Sequence, residues 1–151
     1  MASVKPGDVF EIDTPIGKAY FQVTLFDPGQ GHLIRVLPGG FETTPDLEAL
    51  VSVTERFWLY FPLGAAWRRK IVKRVSNEAI PEAARRRLLM RSPGHVEGGR
   101  VERWAIVDGD RIVKWVPTLT DAERNMQTSG TWNDTLLIER IASGWRPRDW
   151  L

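Results

Sequence analysis

The sequence predicts an α+β protein in which β predominates: a strongly curved antiparallel sheet or partly open barrel of six to eight strands, packed by a C-terminal helix. Three observations predict it. Residues 17–26 alternate, with Ala19, Phe21, Val23 and Leu25 on one side and Lys18, Tyr20, Gln22 and Thr24 on the other, the period-two signature of a half-buried strand. The run FWLYFPL at 57–63 is apolar or aromatic at nearly every position, which requires cover on both faces and predicts a central strand. Near the end, Asn133 or Asp134 can cap a helix whose face carries Leu137, Ile138 and Ile141, with Leu136 at its edge and Gly144 as its stop.

The remaining elements follow from turn chemistry. Val9, Phe10 and Ile12 form a first short strand that ends at Asp13-Thr14-Pro15. Asp27-Pro28-Gly29 with Gly31 turns the second strand into a third at 32–37, closed by Pro38-Gly39-Gly40, so the first three strands read as a meander. Pro45, followed by Asp46 and Glu48, starts a short helix that carries Leu47, Leu50 and Val51 inward. Pro62 has no N–H for a ladder, so the 57–63 strand leaves the sheet there and LGAAW makes a loop or one helical turn. Ile71, Val72 and Val75, interleaved with Lys70, Lys73 and Arg74, then return as a strand beside it. Residues 82–87 form one helical turn, and Leu88, Leu89 and Met90 a buried tether or edge strand. Ser92-Pro93-Gly94 and Gly98-Gly99 frame a mobile loop. Asp108-Gly109 closes a hairpin of 101–107 with 112–116, placing Trp104 and Trp115 as cross-strand neighbours. Thr120 and Glu123 have the spacing of a capping box.

A length of 151 residues, 42% hydrophobic and 26% charged, predicts a single domain over 1–151 able to bury a core without disulfides. There is no cysteine, no signal-peptide core and no apolar run of about 20 residues, so the reading is a cytoplasmic protein without a membrane span. Charge is uneven along the chain: residues 1–55 carry 3 basic and 8 acidic side chains, and residues 56–151 carry 18 and 11. The basic excess peaks between Arg56 and Arg91, where it either steers a charged partner or guards strand edges.

Signatures of catalysis and of cofactor binding are missing from the sequence. His32 and His95 have no ligand partner at metal spacing, and no nucleophile elbow or phosphate loop occurs. The expectation is therefore no cofactor and no metal. Glu11 and Asp13, two apart on one strand face, are the carboxylate pair that a cleft in a curved sheet could turn into a small hydrolase or sugar-modifying site. Seven tryptophans invite two accounts. Trp58, Trp104, Trp115 and Trp132 read as core aromatics, whereas Trp145 and Trp150 dock back on the body beside Arg146 and Arg148. Trp67 with Arg68 and Arg69, joined to Arg85, Arg86 and Arg87, is the candidate partner-binding surface, fit for a protein hot spot or for nucleic acid.

The opening GDVFEIDTPIGKAYFQVT, a Gly-Asp followed by an apolar strand, a glycine turn and an aromatic strand, resembles the immunity protein 26-like family of bacterial polymorphic toxin systems. FWLYFPL and the ending GTWNDTLLIERIASGW are similar to bacterial sequences of this size, so the resemblance spreads over most of the chain. It implies a non-enzymatic protein that binds and neutralises a cognate toxin made in the same cell. The alternative is a nucleic-acid-binding module using the basic and aromatic patch.

Overall fold

The structure, a computed structural model, describes residues 3–151. Its first sheet contains β1 (Asp8–Thr14), β2 (Gly17–Asp27), β3 (Gly31–Val36), β4 (Phe57–Phe61) and β5 (Val72–Asn77), all antiparallel, in the order β4-β3-β2-β1-β5. Its second contains β6 (Leu89–Glu97), β7 (Arg100–Asp108), β8 (Arg111–Val116) and the two-residue β9 (Gln127–Thr128), ordered β8-β7-β6-β9, with β9 parallel to β6. Among the described residues four short α-helices, α1 (Leu47–Val51), α2 (Leu63–Arg68), α3 (Asp121–Arg124) and α4 (Asp134–Ser143), and two 3-10 turns, Glu82–Ala84 and Pro147–Asp149, complete it. The protein is mainly β with a C-terminal helix, and neither sheet closes into a barrel.

The first sheet is covered on both faces. On one, Phe10, Phe21, Ile34, Leu59 and Phe61 pack against Leu63 and Ala66 of α2 and Leu137 and Ile141 of α4. On the other, two different elements share the work: α1 brings Leu50 and Val51 onto Val9 and Tyr20, and the second sheet brings Met90, Ala105 and Val107 onto Leu33, Trp58 and Tyr60. Each large side chain buried this way contributes about 1.5–3 kcal/mol. The arrangement corrects the half-exposed reading of β2: Tyr20, Gln22 and Thr24 are buried as well as Ala19, Phe21 and Val23. Alternation reports which face is polar, and a polar face can still be buried when Arg35 donates to Gln22 Oε1 and Thr24 donates to the Leu33 carbonyl.

The 57–63 run behaves differently from its expected place. Every residue of β4 is buried, as its composition demands, yet β4 ends the strand order and β2 is the centre. Its cover comes from α4 and the second sheet, and its outer edge is met by the chain at 127–132: the Trp58 N–H donates to Gln127 Oε1 at 2.8 Å and the Trp132 N–H to the Tyr60 carbonyl at 3.2 Å. Nor does the basic strand return beside it. α2 carries the chain to the opposite edge, where β5 pairs with β1.

Three further expectations change. Residues 92–99 are not a mobile loop but the end of β6 and its turn into β7, with Pro93 and Gly94 accommodated by register shifts between Pro93 and Val96. In the β7–β8 hairpin Trp104 faces Val116 and Ala105 faces Trp115, so the two indoles project from opposite faces. The first helix begins after Asp46, whose carboxylate caps it, so Pro45 precedes the cap. The capping box at Thr120 and Glu123, the Gly144 stop at φ 70° and the docking of Trp145 against Trp132 and Phe57 match the sequence reading. Asn133, not Asp134, caps α4, its side chain accepting from the Leu136 N–H at 2.8 Å. Asn133→Ala is expected to destabilise the fold by about 1 kcal/mol in urea denaturation; an unchanged midpoint would show that packing alone holds the helix start.

Candidate functional site

β8 has the sequence RIVKWV and pairs only with β7, leaving one side of its backbone open to solvent. A bulge opposite Ile106 and Val107 inserts Val113 as an extra residue, and Ile112, Val113 and Trp115 are 49%, 45% and 42% exposed. With Leu89 and Val96 they place five of the nine large exposed apolar side chains of the described residues on this one sheet. Scattered exposed apolar residues need no explanation, but Ile112, Val113 and Trp115 fall within four residues of an unpaired edge, which makes that edge the candidate interaction surface.

Trp115 is held rather than loose. Its ring lies across Gly94, where an added Cβ would stand 2.7 Å from the indole, and the Arg103 guanidinium sits 4.1 Å above the ring centroid. The missing side chain of Gly94 on β6 thus leaves room for the indole, and Arg103 on β7 stacks on it. The result is a pre-positioned aromatic–arginine pair, the combination that dominates protein-binding hot spots.

On the opposite face of this sheet the charges of β8 are already paired. Arg111 lies 3.6 Å from Asp108 and Lys114 3.5 Å from Glu123 of α3. Donation from the Thr120 N–H, aided by the Thr120 hydroxyl and Lys114, holds the Glu123 carboxyl below the ordinary glutamate range. A depressed carboxylate stabilises the folded state fully above its unfolded pKa and loses that contribution as pH falls through the folded value. Acid titration of stability is therefore expected to flatten in Glu123→Gln below the ordinary glutamate pKa; an identical slope would remove this anchor of α3.

The β5 edge of the first sheet contrasts with β8. β5 presents Lys73 and Arg74, and the Arg74 guanidinium stacks 4.8 Å from the Trp67 ring, so that edge is guarded by charge.

The sequence candidates fall in two places. Trp67 is half-buried against Phe10, with ring centroids 5.5 Å apart, so it belongs partly to the core; Arg68 and Arg69 beside it are exposed, and Arg69 approaches Asp134 at 3.8 Å. Arg85, Arg86 and Arg87 are exposed on the other side: α2 packs into the cluster on one face of the first sheet, whereas Ala84 and Leu88, which flank the arginines, pack into the cluster on the opposite face. Arg85 donates to the Ile80 carbonyl, and Arg87 is engaged by Asp108 at 3.0 Å and Asp27 at 3.2 Å. The structure does not bring the six together.

Glu11 and Asp13 meet a lysine instead of a cleft. Lys18 Nζ lies 3.3 Å from Glu11 and 3.6 Å from Asp13, the Tyr20 hydroxyl donates to Glu11 at 2.8 Å, and Asp13 is exposed. His32 packs against Phe26, and burial lowers its pKa, favouring the neutral ring. His95 differs from its sequence reading, because the hairpin brings Glu97 and Glu102 to it, with one ligand atom from each of the three lying within 4.8 Å of the others. All three are exposed, so a divalent cation held there would take its remaining ligands from water.

Sequence reasoning missed Trp115 as a surface residue, reading it as core, and missed Ile112, Val113 and Arg103 altogether. RIVKWV reads the same for a covered strand and an open one; only the sheet order separates them.

No family model matches the chain, and no curated protein or solved structure matches it. Among the described residues no helix is long and apolar enough to cross a membrane.

Proposed function

We propose that this chain is a non-enzymatic immunity-type protein that binds a cognate bacterial toxin and neutralises it inside the producing cell, with the β8 edge as its docking surface. One observation carries the binding role: an unpaired strand edge bearing Ile112, Val113 and the Trp115–Arg103 stack. The partner contributes an extended segment that adds to β8 through main-chain hydrogen bonds, while its side chains pack on Trp115. The toxin as partner rests on the resemblance of the opening and closing segments to the immunity family. The separation of the two arginine clusters weighs against a continuous nucleic-acid groove.

The test is retention of partners by the tagged protein from a nuclease-treated lysate of its own source, washed at moderate salt, beside a variant carrying Ile112→Lys and Val113→Lys. A stoichiometric protein with a toxin-like domain, inhibited by the parent and lost from the variant, supports the reading. Retention that disappears with nuclease overturns it in favour of nucleic acid, as does a toxin retained equally by both forms for the β8 surface.

A further inference from the structure

Arg91 on β6 is 1% exposed. Its guanidinium lies 4.6 Å from the Trp104 ring centroid and 5.3 Å from that of Trp150, and its Nη2 donates to the Pro147 and Trp150 carbonyls at 2.7 and 2.8 Å. Its Nε and Nη1 have no acceptor. Thr128, the residue paired with Arg91 across β6 and β9, keeps its hydroxyl buried and unpartnered on the same sheet face. The other buried arginine, Arg35, also leaves its Nε without an acceptor but has Glu55 as counter-charge at 3.6 Å. Arg91 has a second arginine instead: burial first, then the Arg124 charge, pushes its pKa below the ordinary arginine value. Buried polar groups are paired as a rule, and a buried cation without an anion is the exception that asks for a ligand.

A cleft opens beside this cage. It holds about 380 Å³, and its lining includes Arg100, Trp104, Leu119, Arg124 and Leu151. Trp104 is common to both, forming one wall of the cleft and one face of the arginine cage.

We propose that the cleft and the cage behind it form a binding site for a small oxyanion, a phosphate group or a carboxylate, received at the rim by Arg124 and Arg100 and completed by Arg91. Charge-assisted hydrogen bonds from guanidinium groups suit either anion, and the Thr128 hydroxyl adds a donor that both accept. Entry to Arg91 moves Trp150 and Leu151 aside, exchanging the neutral Trp150 carbonyl for a charged acceptor while the Pro147 carbonyl keeps its bond. The site is separate from the β8 edge and does not depend on the toxin reading.

The experiment is an NMR titration of the whole chain with inorganic phosphate and, separately, with acetate at matched ionic strength, following the Arg91 Nε–H and the indole N–H signals of Trp104 and Trp150. The expected result is a saturating shift of all three with one anion at lower concentration than the other, which identifies the source, and a dissociation constant about tenfold weaker in Arg124→Gln. Signals unmoved by both anions overturn the proposal and assign the free donors to ordered water. Shifts of equal midpoint in Arg124→Gln also overturn it, as general salt effects. Arg124 lies on the exposed surface of α3, so this variant leaves the core intact.

Discussion

Trp115→Ala is expected to weaken partner binding by about 2–4 kcal/mol, roughly 30- to 1000-fold in Kd, while leaving the unfolding midpoint nearly unchanged. The binding effect is large because the indole is held before the partner arrives. Contact with Gly94 and with the Arg103 guanidinium restrains the rotamer freedom that docking would otherwise have to freeze. The stability effect is small because Trp115 is 42% exposed and belongs to none of the three buried clusters. Calorimetric titration of the retained partner, with urea denaturation of the same samples, separates the two. Gly94→Ala gives a second approach to the same contact: its methyl would stand 2.7 Å from the ring and 3.0 Å from the Arg103 carbonyl, so the indole and its arginine partner must shift and affinity falls although both side chains remain. Unchanged affinity in both variants removes β8 as the contact surface.

Arg35→Met is expected to destabilise the fold by about 3–5 kcal/mol, the largest single effect on stability proposed for this chain. Arg35 is 1% exposed on β3, and its Nη1 donates to Gln22 Oε1 at 2.7 Å and to the Val51 carbonyl at 3.0 Å. Its Nη2 reaches the Val53 carbonyl at 3.0 Å and Glu55 Oε2 at 3.6 Å. One side chain therefore fastens α1 and the turn after it to the sheet. Methionine fills much of the volume but leaves the buried Gln22 oxygen and the Val51 carbonyl without their donor and Glu55 without its cation. Glu55→Gln added to Arg35→Met should recover part of the loss, because it removes the carboxylate that lost its partner. A midpoint in urea that matches the parent for Arg35→Met would show that α1 packs on the sheet by apolar contact alone.

Local chemistry was legible where it is decided by near neighbours. The Asp108-Gly109 hairpin, the Thr120–Glu123 box, Gly144 at a left-handed stop and the strands of the meander each depend on residues within a few positions of one another, and each is found. Composition also told correctly that 57–61 needs cover on both faces. What supplies that cover was not legible: a strand becomes all-apolar equally by lying mid-sheet or by lying under a helix and a second sheet.

The candidate site shows the same limit. Trp67 and Trp115 both sit beside arginine in the chain or across a strand, yet the first leans on Phe10 in the core and the second stands on an open edge. Arg68 and Arg85 are close in sequence but lie on opposite sides of a sheet, because α2 and the chain before β6 cover different faces of it. Turns, caps and strand periods are short-range and are written in consecutive residues. Strand order, the identity of the exposed edge and the gathering of Arg91 with Trp104, Trp150 and Thr128 come from pairings tens of residues apart, where many partners satisfy the same apolar pattern. Only packing the whole chain selects among them.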